Sequence, residues 1–244
     1  MTRTAKWIVT VIALVVGLAA PARFAAAGDG TADAPLPLHV AVERGLVDVE
    51  VVGRGASTGD SVEVRVKRRN NAKLNLSVEP GTVIQPTGAN VQTMALAGVK
   101  YKQSRRGYEA AERIELNDNT QQTYILEGYC RDFEKPTPTS RNAFAVQGPD
   151  QDNAKILVQA KKLGATVKIT QSAIWIQRSG LSDEQLQKRF EVSSDELKAA
   201  RGLLVSVQTS DEKVDVDLSK VLADLRQLPA KIRGTTVKRG DIVE

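Results

Sequence analysis

Cysteine and histidine each occur once in the 244 residues, as Cys130 and His39, and aromatic residues make up only 4%. A single cysteine excludes a disulfide scaffold, and so small a stock of thiol and imidazole ligands leaves no basis for a transition-metal centre. Ser–His–Asp or Cys–His catalysis would have to run through His39, and no nucleophile motif accompanies it. Its neighbours Leu38 and Val40 place it on a strand. With so few rings, the core is expected to be built from Val, Ile, Leu and Ala. No metal and no cofactor is expected, and the chain reads as non-enzymatic.

Long apolar runs are scarce as well. The one continuous run, residues 7–20, is shorter than the roughly 20 residues a membrane-spanning helix needs. It follows Arg3 and Lys6 and precedes Ala25, Ala26 and Ala27, the pattern of a secretory signal peptide cleaved before Gly28. Residues 1–27 are therefore expected to be removed, leaving a secreted or otherwise extracytoplasmic protein with no stable membrane span. The formal charge of +5 includes Arg3, Lys6 and Arg23, and without that leader it falls to +2. That is too small an excess to argue for nucleic acid as a partner. An exported chain with one unpaired thiol needs a reason for it: a partner chain, a reactive site, or a small buried hydrophobe.

What the chain does have is two successive grammars. Residues 28–35 are small and polar and read as a flexible mature N-terminus. From residue 36 apolar residues alternate with polar ones, at 40–42, 46–51 and 62–66 and again at 91–96, 113–116 and 122–126, the pattern of half-buried strands. Asn70-Asn71 predicts a hairpin across 62–78, and residues 100–111 read as an exposed loop or irregular hairpin. The glycines at 53, 55 and 59 are followed by a strand pattern rather than a helix, which excludes a phosphate loop. Residues 36–149 are thus expected to form an immunoglobulin-like antiparallel β-sandwich.

Gly148-Pro149-Asp150 breaks this pattern. Asp150 or Asp152 can cap a helix over 153–163 that Gly164 ends. Residues 170–176 predict a short buried helix. Ser182 with Gln185 forms a capping-box signature that Ser193 with Glu196 repeats. Residues 203–207 are expected to return to the sheet. Residues 150–210 therefore form a small helical subdomain packing on the sandwich, and 211–244 a C-terminal helix and tail.

Two short blocks resemble a known family. Tyr129-Cys130, and Thr170-Gln171-Ser172-Ala173-Ile174-Trp175 downstream, are similar to the two motifs of the thioester domains of bacterial surface adhesins. The resemblance implies an internal thioester with Cys130 as the thiol and Gln171 as the acyl donor, supported by Tyr129, Thr170, Ala173 and Trp175. It also implies a β-sandwich combined with a helical subdomain. The chemistry is sensible in itself: a thiol displaces ammonia from the carboxamide, and a nucleophile on a host surface later opens the bond and becomes attached. A reactive thiol of this kind needs no second cysteine.

The expected function is accordingly a secreted or envelope-associated binding or adhesion module whose partner is an extracellular protein or glycan. The alternative is a structural secreted β protein with no covalent chemistry. A third reading, a hydrolase, would pair Asp132 and Glu134 beside Glu127 for acid–base work.

Overall fold

Alternation along the first half of the chain produces strands whose pairing closes on itself. The structure, a computed structural model, describes residues 30–88 and 90–211. The expected signal peptide at 1–27 and the expected helix and tail beyond 211 lie outside these residues. In chain order the strands are β1 (Leu36–Pro37), β2 (Val47–Gly53), β3 (Thr58–Arg68), β4 (Leu74–Ser77), β5 (Thr82–Pro86), β6 (Met94–Ser104), β7 (Gly107–Ala110), β8 (Ile114–Leu116), β9 (Gln122–Cys130) and β10 (Ala143–Pro149). Six of them run β5-β10-β2-β3-β9-β6, and β6 pairs back onto β5, making a closed antiparallel barrel. β7 folds back along the far end of β6. A separate three-stranded sheet, β1-β4-β8, lies beside it.

Mainly β with helices is thus the architecture, as expected. Where the sequence predicts two facing sheets, however, the β5–β6 pairing joins the ends of one sheet into a ring. Closure requires bends, and register shifts interrupt the ladder between Gly59 and Val62, Leu96 and Gly98, and Val99 and Tyr101. Each is a bulge that kinks and twists its strand, the usual device for curling a sheet into a barrel. Alternate positions such as Val62, Val64 and Val66 on β3 and Tyr124 and Leu126 on β9 are fully buried. Gly128 continues that face of β9. A Cβ there would meet Ser61 Oγ at 2.9 Å and Val62 Cγ2 at 3.0 Å, so the strand packs here because the side chain is missing.

Three local expectations differ. Residues 38–43, including His39, form a helix, α1 (Leu38–Glu43), rather than a strand. Its buried residues, Leu38 and Ala41, are three apart, a helical spacing that the alternating valines obscure. The hairpin across 62–78 does not form: β3 pairs with β2 and β9, while β4 leaves for the second sheet. Residues 203–207 belong to a helix, not to a strand. Residues 100–111, by contrast, form the β6–β7 hairpin.

The strands end at Pro149 and the helices begin at once: α2 (Gln151–Leu163), α3 (Val167–Ser179), α4 (Asp183–Arg189) and α5 (Ser194–Asp211). Their ends are set by short polar residues and glycines. Asp150 caps α2 by accepting from the Asn153 backbone N–H at 3.0 Å, and Gly164 ends it in the left-handed region at φ 65°. Thr166 caps α3, and Ser182 and Gln185 complete a capping box on α4. Eight successive residues of α3, from Ile169 through Ile176, are buried. A helix covered on every side is the centre of its layer, and α3 packs against α2, α5 and strands β3 and β9. Among the described residues no helix is long and apolar enough to cross a membrane.

Candidate functional site

The site lies where the last residue of β9 meets the central helix. Cys130 ends β9, Gln171 stands on the second turn of α3, and both are fully buried. Strand β3 begins at Thr58, beside Tyr129 in the register, so on that side the next position on β9 meets Ser57, with Met94 of β6 on the other. The Cys130 N–H donates to Ser57 O at 3.0 Å and also to Gln171 Oε1 at 2.9 Å. In return Gln171 Nε2 donates to Cys130 O at 2.7 Å. A side-chain amide thus continues the ladder where β3 leaves off. A donor must face the carbonyl and an acceptor must face the N–H, so these two bonds fix which end of the amide is oxygen.

Burial raises the Cys130 thiol well above its ordinary range, and the neighbouring Asp132 carboxylate pushes it further up. The sulfur is therefore held as a neutral thiol. A thiolate in so dry a place would be costly.

The residues preceding the pair are held as well. The Tyr129 phenol donates to the Glu127 carboxylate, two positions earlier on the same face of β9. Thr170 donates to Thr166 O at 2.9 Å, within the first turn of α3. Burial first, then the Glu127 charge, push the phenol well up, so it remains a donor. Glu127 is anchored in turn by Lys100 at 3.4 Å, and Lys100 reaches Asp60 at 3.7 Å. Ala173 is fully buried. Trp175, one helical turn beyond Gln171, stands edge-on between Phe133 and Phe190, with ring centroids 5.1 Å apart in both pairs. The Arg189 guanidinium caps Phe133 at 5.0 Å from the ring centre. This aromatic run ties the segment after β9 to both α3 and α4.

Just beyond the thiol, Arg131 pairs with Asp150 at 2.5 Å, and Arg178 at the end of α3 approaches the same carboxylate at 3.8 Å. Asp150 therefore joins the exit of β9, the start of α2 and the end of α3. The three carboxylates that could pair for acid–base work take separate partners. Glu127 takes Tyr129 and Lys100, Asp132 takes the Thr93 N–H and Lys135, and Glu134 takes Arg189.

The structure sets Cys130 against Gln171; Tyr129 precedes the first and Thr170 the second, Trp175 lies one turn beyond Gln171, and Ala173 is buried within α3. Glu127 and Ser57 are the additions. The i, i+2 relation of Glu127 to Tyr129 on a strand is a signal that could have found the first. Nothing in the sequence points to Ser57.

The arrangement can activate an amide. A backbone N–H at 2.9 Å from the carboxamide oxygen sits where an oxyanion donor must sit to stabilise charge building on that oxygen. Comparison of the chain with protein-family models, with curated proteins and with solved structures finds no match.

Proposed function

We propose that the chain is an extracytoplasmic binding or adhesion module in which Cys130 and Gln171 form an internal thioester for covalent attachment to a protein or glycan surface. The observation that carries this reading is the paired hydrogen bond that holds the Gln171 carboxamide against Cys130 in a site closed to water. These bonds run to the Cys130 backbone and bring the two residues into one site, where the thioester step would be intramolecular rather than bimolecular. In the forming step the Cys130 sulfur bonds to Gln171 Cδ and the Cδ–Nε2 bond breaks. The thiol proton passes to the departing nitrogen, which leaves as ammonia. The Cys130 N–H stabilises the oxygen throughout. In the attachment step an amine bonds to the same carbon, the C–S bond breaks, and a proton returns to sulfur.

A second reading rests on the same two bonds. Both halves of the Gln171 amide are satisfied as they stand, so the residue serves equally as a structural clamp between barrel and helices. Loss of Nε2 would remove the donor that now faces Cys130 O, a penalty of about 1–3 kcal/mol for a buried carbonyl. This is the structural protein with no covalent chemistry.

Intact mass decides between them. The thioester reading expects the reduced, purified protein to be lighter than its sequence by one ammonia, with Cys130→Ala restoring the calculated mass and methylamine adding across the bond. An unmodified mass with a free thiol at Cys130 would leave the clamp.

A further inference from the structure

A cleft of about 3100 Å³ lies between the barrel and the helices, and its two walls differ in charge. On the barrel wall each of two cations serves two carboxylates. Arg65 lies between Glu50 and Glu63, and Lys100 between Asp60 and Glu127. Arg54 and Glu112 add one charge of each sign. The helix wall carries Lys161, Lys168 and Lys188. Among the described residues Lys161 and Lys188 have no ion-pair partner, and Lys168 only reaches Glu191 at 4.0 Å. The same wall holds Val158, which is 53% exposed, and Val205 on α5 is 54% exposed. With Tyr108 they are the large hydrophobic side chains left open among the described residues. The two valines flank the Gln159–Ser206 hydrogen bond that joins α2 to α5 at 3.3 Å. Helix α5 ends at Asp211, little more than a turn beyond Ser206, so the chain continues from beside this wall.

The sequence that continues it matches what is open there. Residues 212–217 carry Glu212, Asp215 and Asp217 against the single Lys213. Leu218, Val221, Leu222 and Leu225 then recur at helical spacing, the pattern of an apolar stripe. Arg226, Lys231 and Arg233 follow. Acidic, apolar and basic residues thus succeed one another, and the cleft offers free lysines, an open valine and surplus carboxylates.

We propose that residues 212–233 of this chain turn back into the cleft and occupy it as an intramolecular plug. Glu212, Asp215 and Asp217 face the lysines of the helix wall, the apolar stripe covers Val158, and Lys231 and Arg233 meet the carboxylates of the barrel wall. The distance is short for such a segment, since ten residues of extended chain reach about 33 Å. An outside partner of the cleft must displace the plug before it can bind, so the protein inhibits its own binding surface. The plug does not rest on the thioester reading.

The test uses the full chain. A carbodiimide joins carboxylates to amines in direct contact. Mass spectrometry of the treated protein should find links from Lys161, Lys168 or Lys188 to Glu212, Asp215 or Asp217, and from Lys231 to Asp60 or Glu127. Mixing isotope-labelled with unlabelled protein separates links within a chain from links between copies. Lys161 should also acetylate severalfold more slowly than Lys162, its exposed neighbour outside the cleft. Val221→Asp with Leu225→Asp breaks the apolar stripe and changes only residues outside the described fold. In that variant the links should be lost and Lys161 should react as fast as Lys162. Lys161→Glu with Lys168→Glu should lose the links to residues 212–217, and adding Asp215→Lys with Asp217→Lys should restore them. Three results would overturn the proposal. Absence of the links in the parent chain would leave the cleft open to an outside partner. Links found only between copies would make the segment an arm that joins two molecules. Equal acetylation of Lys161 and Lys162 in the parent chain would leave the helix wall uncovered.

Discussion

The barrel and the helical segment are organised over different distances along the chain. In the barrel each strand depends on partners far away: the Ser61 hydroxyl on β3 meets Gly128 O on β9, 67 residues on. In the helical segment the decisive contacts are three or four residues apart, as in the Asp150, Thr166 and Ser182 caps. One half is therefore set by distant pairing and bulges, the other by local signals plus one buried helix. The site uses one residue from each, and the comparison shows why. Cys130 stands where the ladder of β3 stops, and Gln171 is presented by a stretch of helix, Ile169 to Ile176, that is buried all round.

The sharpest way to break this contrast is to damage the helix that both halves share. Ile174 is fully buried in the middle of α3, and Ile174→Ala should cost about 2–5 kcal/mol. Urea unfolding followed by Trp175 fluorescence and by far-ultraviolet circular dichroism should show one coincident, shifted transition. If only the fluorescence moves, the halves unfold separately and α3 is not their common centre.

A smaller effect is expected at the junction. Burial pushes the Asp150 carboxyl up, but the Asn153 N–H and the Arg131 guanidinium outweigh it and hold it below the usual carboxylate range. A depressed carboxyl contributes stability that is present above its unfolded value, near pH 4, and is lost as pH falls through the folded one. Asp150→Ala should thus cost about 1–3 kcal/mol at neutral pH, from the cap and the ion pair together. The gap between variant and parent should close as pH drops below about 4. Denaturation midpoints measured at neutral and acid pH check this, and a gap that stays constant would remove the ion pair from the account.

The smallest effect belongs to a purely local feature. Ser182→Ala removes the capping box of α4 and should cost about 1 kcal/mol. Amide exchange should quicken within α4 while β3 and β9 stay unchanged. Faster exchange in the strands would show that this cap is not as local as its geometry.

The same contrast governs how much could be read from residues alone. Asp150, Gly164, Ser182 and the buried helix at 170–176 were legible because a cap or a breaker acts within a turn of itself. Strand alternation was legible too, but alternation says which face is buried and not which strand lies alongside. The departure of β4 to another sheet and the β5–β6 closure depend on residues tens of positions apart, and the barrel was therefore missed. α1 was misread because Val40 and Val42 alternate over a span too short to show the helical period. Within the site, the motif residues were identified by resemblance rather than by periodicity. The backbone of Cys130 as the partner of Gln171 emerges only once β9 and α3 are set side by side.

The meeting of Cys130 and Gln171 also makes a ring out of a line. It closes a loop spanning 41 positions that contains the whole of β10, itself held between β2 and β5. A covalent closure of that length would restrict the unfolded chain by about 4 kcal/mol on the loop-entropy scale used for cross-links. It would also take residues 131–170 out of the path of any force applied to the two ends of the chain. A tug on the folded molecule would pass from β9 straight into α3, and the barrel strand inside the ring would be spared the strain.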